Sequence, residues 1–291
     1  MAEPVGFVGL GRMGTPMVRR LAAGGLAVRG HDAAAGTAEA LADVLTPVPD
    51  AAAAAAGAPV VLLMLPDSDV VEAVVDGGLL DALEPGTLLV DMSTSEPLRT
   101  RALAPRVADR GATLVDAPVS GGVAGARDGT LTIMVGGTDD VVRRLEPTLA
   151  LMGRARHVGD CGAGHALKAL NNLLSASHLL ATSEAILAGE RFGLDPGAML
   201  EAINGSSGRS GSTQTKWPTH IVPGTYGSGF TAGLMLKDLR IALGLADGLD
   251  APRGHAARTV DLWTRAVAAL GPAADHTEIA RWLRERPEED R

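Results

Sequence analysis

The sequence predicts an α/β fold: an N-terminal Rossmann-type, doubly wound sheet and an all-α C-terminal domain, joined by a long interdomain helix. Three observations predict it. Gly9-Leu-Gly-Arg-Met-Gly14 stands between a strand-like run and a helix-like one, the context in which a GxGxxG sequence holds a dinucleotide. Apolar runs of strand length then recur as far as Gly136, as the strands of a buried parallel sheet do. From about Gly162 the pattern turns helical, which places the domains at residues 1–161 and 162–291.

The elements follow in order. Val5–Leu10 reads as a buried strand and Met13–Ala23 as the helix after it. Gly9 permits the tight turn, Gly11 lets the backbone approach a pyrophosphate, and Gly14 lets the helix pack against the strand; free N–H groups at the helix start hold the phosphate. Leu10, Arg12 and Met13 complete this loop. A second strand, Ala27–Asp32, ends in an acid near the spacing of about 20 residues expected for a ribose-binding carboxylate, which would repel a 2′-phosphate. NAD is therefore expected over NADP. Arg29 falls on the opposite strand face and is a poor phosphate clamp. The low-complexity run Ala51–Ala56 reads as a surface helix.

Pro59–Leu65 and Thr87–Ser93 read as central parallel strands, the first followed by a helix capped by Asp67 or Ser68, the second by a helix from about Pro97. Leu65, Pro66 and Thr94 stand at the strand ends where a doubly wound sheet binds its ligand, although residues of this kind equally suit helix caps. Thr113–Ser120 reads as one strand, followed by Gly121-Gly122 and a returning strand Thr130–Gly136. Ser120, Gly121 and Gly122 offer a hydroxyl and backbone N–H groups to a small carboxylate; a plain tight turn has the same composition.

The C-terminal half reads as helices Ala166–Arg191, Pro196–Asn204, Ala232–Gly248 and Gly254–Leu270, with a solvated tail at Arg281–Arg291. Between Asp160 and Glu184 the only formal charge is Lys168. Leu167, Leu170 and Leu174 are spaced as the apolar face of a largely buried helix, while His165, Lys168, Asn172 and Ser175 form a polar stripe. An isolated buried ammonium is costly. Lys168 either snorkels to water or has a chemical role, and Asn172 stands one turn away to hold an amine or its partner.

Composition limits the function classes. Hydrophobic residues are 46% and charged ones 21%, ordinary for a globular enzyme, and the net charge of −8 argues against nucleic-acid binding. No apolar run reaches the length of a membrane span, and no signal-peptide pattern opens the chain. A cytoplasmic setting is expected. The single cysteine, Cys161, permits no intrachain disulfide and reads as a small apolar filler. The histidines show no metal-ligand spacing, so no metal is expected.

Four ordered stretches resemble the β-hydroxyacid dehydrogenase family, on its 3-hydroxyisobutyrate dehydrogenase-like branch: Phe7–Met17, Asp116–Ala126, Gly162–Asn172 and Lys237–Arg240. The resemblance implies that Lys168 is the catalytic lysine and Asn172 helps hold substrate. It further implies that Ser120, Gly121 and Gly122 bind the carboxylate, that Leu65, Pro66 and Thr94 touch the cofactor, and that Lys237 lies at the cofactor–substrate boundary. Asp32 matches the acid of NAD-preferring members. Ser206–Ser210 looks closest to the 3-hydroxyisobutyrate branch, and pairing of subunits into a homodimer or homotetramer is implied.

The expected reaction is hydride transfer between the nicotinamide and a small 3-hydroxy acid or its semialdehyde, with Lys168 as general acid/base. An ordinary lysine titrates near ~10.4, and desolvation beside a positive ring lowers that value. The alternatives are a semialdehyde or glyoxylate reductase, an imine reductase of the same architecture, and a non-catalytic NAD-binding regulator. The phosphorylated-gluconate dehydrogenases share the N-terminal half but need a longer C-terminal domain. Lys237-Asp238 also admits a simpler reading, as an exposed charge pair on a helix.

Overall fold

A computed structural model describes residues 3–285 and divides into two compact units, Met1–Lys168 and Ala169–Arg291. The division falls inside a helix, Ala163–Phe192.

The first unit alternates strands and helices: β1 (Val5–Val8), α1 (Gly14–Ala23), β2 (Val28–His31), β3 (Thr46–Pro47), α2 (Ala51–Ala55), β4 (Val60–Leu63), α3 (Ser68–Val74), α4 (Leu80–Ala82), β5 (Leu88–Asp91), α5 (Pro97–Ala108), β6 (Thr113–Asp116), β7 (Val119–Ser120), α6 (Gly122–Asp128), β8 (Leu131–Gly136), α7 (Asp139–Ala150) and β9 (Gly153–Gly159). The sheet order is β3-β2-β1-β4-β5-β6-β8-β7, with β9 on β8. Pairings from β3 to β6 are parallel, in the doubly wound order whose switch point lies between β1 and β4.

The continuous apolar runs follow from this arrangement, because both sheet faces are covered. Phe7, Leu62, Leu88, Val90 and Val115 pack with Met17, Val18 and Leu21 of α1 in one core. Their strand neighbours Val8, Val61, Leu63, Leu89 and Leu114 pack with Ala54, Val71, Leu103 and Val107 in another. Successive side chains point to opposite faces, so each run supplies both cores.

The alanine run is not a surface helix. Ala54 and Ala55 of α2 are buried, and a Cβ added at Gly6 would stand 2.6 Å from the Ala54 carbonyl oxygen. Helix and strand meet too closely for larger residues. Asp67 caps α3, accepting from the Val70 N–H at 3.0 Å.

The expected strand Thr113–Ser120 is in fact two, β6 and β7, both paired antiparallel to β8. The break falls at Ala117-Pro118, where proline has no N–H to continue a ladder. Strand β9 was missed; Arg154, Arg156 and His157 make it too polar to read as a sheet strand.

The second unit contains most of α8 (Ala163–Phe192), then α9 (Pro196–Asn204), α10 (Ala232–Gly248), α11 (Gly254–Leu270) and α12 (Ile279–Glu285). The last three helices expected from sequence have the observed bounds, because side-chain caps mark two of them: Asp195 accepts from Ala198 N–H and Thr231 from Leu234 N–H. A π-helical segment, Ser212–Ile221, was not foreseen. The tail also differs from expectation: Arg281–Glu285 is helical, with Arg284 paired to Glu190 and Arg281 to Glu278. The remainder of that tail lies outside the described residues.

Only Phe7 among the aromatic residues lies in the first unit. Trp217 and Trp263 are buried in the second unit's core with Leu179, Ile186, Met235 and Leu239. Beside that core Asp275 accepts from Thr277 and Ser228 hydroxyls and from Thr277 and Gly229 N–H groups. His276 Nδ1 lies 2.9 Å from Ser228 Oγ and donates to the Phe230 carbonyl at 3.1 Å. Among the described residues no helix is long and apolar enough to cross a membrane.

Burial pushes the His276 imidazole down from 6.5 to about 4; the Lys216 charge acts the same way and Asp275 opposes both. Between those values the unfolded chain binds the extra proton. Stability is therefore fully present above about pH 6.5 and lost as pH falls toward 4, by on the order of 3 kcal/mol. Urea unfolding at pH 7 and pH 5 should show this loss, and His276→Gln should flatten the dependence.

Candidate active site

The residues expected to hold a dinucleotide, other than Lys237 on α10, gather at the carboxyl ends of β1, β2, β4 and β5. Gly9 takes a φ of +98°, outside the range of ordinary side chains. A Cβ at Gly14 would stand 1.9 Å from the Gly9 carbonyl oxygen, whereas one at Gly11 would meet nothing within 4 Å. The loop is thus closed on its helix side and open at Gly11, the backbone position that approaches a pyrophosphate. Leu10 is buried, Met13 half-buried and Arg12 exposed.

Asp32 is fixed by the same loop. Its Oδ2 accepts from the Leu10 N–H at 2.6 Å and its Oδ1 from Ala34 N–H at 2.8 Å. The carboxylate therefore stands beside the glycine turn with its direction set by two backbone donors. Arg29 bonds instead to the Ala56 carbonyl.

At the end of β4, Leu65 donates its N–H to Ser93 Oγ at 2.9 Å. Asp91 accepts from Ser93 N–H at 2.9 Å and Ser95 Oγ at 2.6 Å, which braces the turn carrying Thr94. Pro66 is exposed and Thr94 half-buried. Residues Gly121 and Gly122 have φ of +129° and +61°, so the turn after Ser120 favours glycine at both places.

The start of α8 is tied to the sheet by Asp116, an interaction that sequence reading missed. Fully buried at the end of β6, Asp116 accepts from Gly162 N–H at 2.6 Å and His165 N–H at 2.8 Å. A Cβ at Gly164 would stand 2.2 Å from the Met134 carbonyl oxygen, and one at Gly136 would stand 2.3 Å from Asp116 Oδ1. Burial raises the Asp116 pKa, against the lowering effect of His165 and the two N–H donors. His165, also fully buried, places Nδ1 2.8 Å from Thr100 Oγ1 and Nε2 3.7 Å from Asp91 Oδ2. Cys161, next to this turn, has its thiol pushed up to about 12, chiefly by burial.

One turn beyond His165 lies Lys168, 8% exposed, and one turn beyond that Asn172, 7% exposed. The expected burial of the helix is inverted here: Leu167 and Leu170 are each 41% exposed and Leu174 57%. The polar stripe is the buried face because its members have partners, which offsets the cost of desolvating them.

Within the second unit, Asn172 Nδ2 donates to Asp238 Oδ2 at 2.6 Å, and Lys237 Nζ stands 3.2 Å from Asp238 Oδ1. Asp238 is 2% exposed, so Lys237-Asp238 is not a surface pair; it anchors Asn172 to α10. One turn after Asn172, Ser175 Oγ receives a hydrogen bond from Lys216 Nζ at 2.7 Å. Lys216 belongs to the π-helical segment and was missed, since it sits in no motif. The one available signal was Ser175 in the polar stripe. Among the described residues no cluster of three or more His, Cys, Asp or Glu is arranged to hold a metal ion.

Residues 4–162 match the family model described as the NAD binding domain of 6-phosphogluconate dehydrogenase, and residues 162–283 the one described as NAD-binding of NADP-dependent 3-hydroxyisobutyrate dehydrogenase. The 2-(hydroxymethyl)glutarate dehydrogenase of Eubacterium barkeri is 40% identical, over 82% of this chain and 81% of that protein. The mitochondrial 3-hydroxyisobutyrate dehydrogenase of Pongo abelii is 36% identical, over 97% of this chain and 87% of that one. A solved structure of Mycobacterium tuberculosis 3-hydroxyisobutyrate dehydrogenase with L-serine is 33% identical, with a TM-score of 0.93 over 98% of this chain and 100% of that one. The chain belongs to the β-hydroxyacid dehydrogenase family and is 3-hydroxyisobutyrate dehydrogenase-like. It is an NAD(P)-dependent enzyme acting on the CH–OH group of a hydroxy acid.

A side chain at Gly14 must displace the turn at Gly9, where the dinucleotide is expected. Gly14→Ala should lower stability by about 1–3 kcal/mol, as overpacking does. It should also weaken NADH binding at least tenfold. Thermal unfolding and NADH fluorescence titration check the two effects.

Proposed function

We propose that this enzyme oxidises a 2-substituted 3-hydroxypropanoate to its semialdehyde with NAD, using Lys168 as the general base. The observation that carries this reading is the burial of Lys168 one turn from Asn172 on the same face of one helix. The compounds in the relatives' names support the substrate class. L-Serine, 3-hydroxyisobutyrate and 2-(hydroxymethyl)glutarate all contain a CH2OH group on the carbon next to a carboxylate. They differ only in what else that carbon carries.

Oxidation removes a hydride from the carbinol carbon and a proton from its hydroxyl. The bound nicotinamide ring supplies the hydride acceptor. Lys168 takes the hydroxyl proton, and Asn172, held by Asp238, keeps the substrate in register. Ser120 and the Gly121 and Gly122 N–H groups receive the carboxylate. Gly9–Gly14, Asp32, Leu65, Pro66 and Thr94 line the cofactor side, and the family resemblance assigns Lys237 to the cofactor. The domains of this reading are residues 1–161 for the cofactor and 162–291 for the substrate, a boundary supported by the meeting of the two family models at residue 162.

Asp32 supports NAD as the cofactor, because a carboxylate held beside the turn accepts two ribose hydroxyls and repels a 2′-phosphate. The kcat/KM with NAD should exceed that with NADP at least tenfold; a preference for NADP would overturn this part of the reading.

Lys168→Ala and Lys168→Arg should each lower kcat by about 10²–10⁴-fold, the worth of general acid–base catalysis. NADH affinity should stay within a few-fold. Near-normal turnover of 3-hydroxyisobutyrate in either variant would remove Lys168 from the chemistry. Reduction of a cyclic imine by the parent enzyme, with no hydroxy-acid turnover, would favour the imine reductase alternative instead.

A further inference from the structure

The second unit holds a cation for which its own carboxylates provide no partner. Lys216 is half-buried, and its Nζ donates to Ser175 Oγ at 2.7 Å. Among the described residues no carboxylate lies within 4.0 Å of it. Asp275, whose charge it feels, is already engaged by Ser228, Gly229 and the N–H and hydroxyl of Thr277. A hydroxyl is a weak counterpart for an ammonium, which keeps donors free for an acceptor.

The placement of this cation gives it a use. Ser175 follows Asn172 by one helical turn on the same face of α8, about 4.5 Å along the axis. A substituent that runs along the helix from a substrate held at Asn172 toward Ser175 would approach the Lys216 ammonium. An apolar substituent such as methyl would leave that ammonium with the Ser175 hydroxyl and no anionic acceptor. A substituent two or three carbons long that ends in a carboxylate would reach it.

We propose that Lys216 binds a second carboxylate on the substrate, so that the preferred substrate is a dicarboxylic 3-hydroxy acid rather than 3-hydroxyisobutyrate. This rests on the reaction proposed above and adds the identity of the substituent. Ser175 positions the ammonium, and Asn172 holds the reacting end. A charge-assisted hydrogen bond of this kind is worth roughly 10- to 100-fold in affinity.

Burial holds the Lys216 pKa down at about 8, with Asp275 acting to raise it. His276 is neutral at that pH, with its own value at about 4, and His220 stands near it. Above pH 8 the amine must gain a proton before it can bind the second carboxylate. The KM for a diacid should then rise with pH relative to that for a monoacid.

The test compares 2-(hydroxymethyl)glutarate with 3-hydroxyisobutyrate as substrates of the parent enzyme and of Lys216→Met, from pH 7 to pH 9.5. The parent should favour the diacid at least tenfold in kcat/KM. That ratio should fall at least tenfold in Lys216→Met, through KM, and fall in the parent as pH passes 8. An unchanged ratio in the variant, or an equal loss on both substrates, would overturn the proposal by reducing Lys216 to a structural lysine. If Lys216→Met does not fold, the pH dependence of the parent's ratio decides: a flat ratio rejects the proposal. If the parent oxidises neither acid, the reaction itself is wrong. Glutarate binding, read by calorimetry on the parent with NAD, then judges Lys216 separately: affinity no greater than that for butyrate rejects it.

Discussion

Much of the first unit's chemistry hangs on one buried carboxylate. Asp116 closes β6 and accepts the N–H groups of Gly162 and His165, so the first turn of α8 is bonded to the strand end rather than resting against it. Glycines at 136 and 164 let backbone crowd around the carboxylate. Removing that acceptor would leave two buried N–H groups without a partner, each costing about 1–3 kcal/mol. Through this contact the position of Lys168, one turn later in the same unit, is tied to the sheet. The neighbouring Asp91 does similar work at the end of β5, where it braces the turn bearing Thr94.

The same logic explains why α8 is buried by its polar face. Its leucines at 167, 170 and 174 are exposed within the chain, while His165, Lys168 and Asn172 are not. A polar side chain is kept out of water only where partners replace water, and Thr100 and Asp238 supply them for His165 and Asn172. Lys216 extends the pattern: it joins Ser175 of the stripe to a segment that carries no motif.

The strands and helices of the sheet were legible because their causes are local. Glycine spacing, continuous apolar runs, and caps such as Asp67, Asp195 and Thr231 act within a few residues of the elements they define. Pro118 likewise explains why the expected strand Thr113–Ser120 breaks. The glycine loop was legible for the same reason: its strand, turn and helix are contiguous. The polar strand β9 and the π-helical turn at Ser212–Ile221 were not, because each is formed by pairing or packing that overrides a weak local preference.

By itself, then, the sequence determined the order of elements, the doubly wound class, the glycine loop with its acid at Asp32, and the isolation of Lys168. Only the tertiary structure decided which face of α8 is buried, that Asp116 holds its first turn, that Asp238 joins Asn172 to Lys237, and that Lys216 meets Ser175. The physical reason is sequence distance. Periodicity reports which residues share a face, but desolvation is decided by partners 40 or more residues away, as in the pairs of Asp116 with His165 and Lys216 with Ser175. No local pattern encodes those partners.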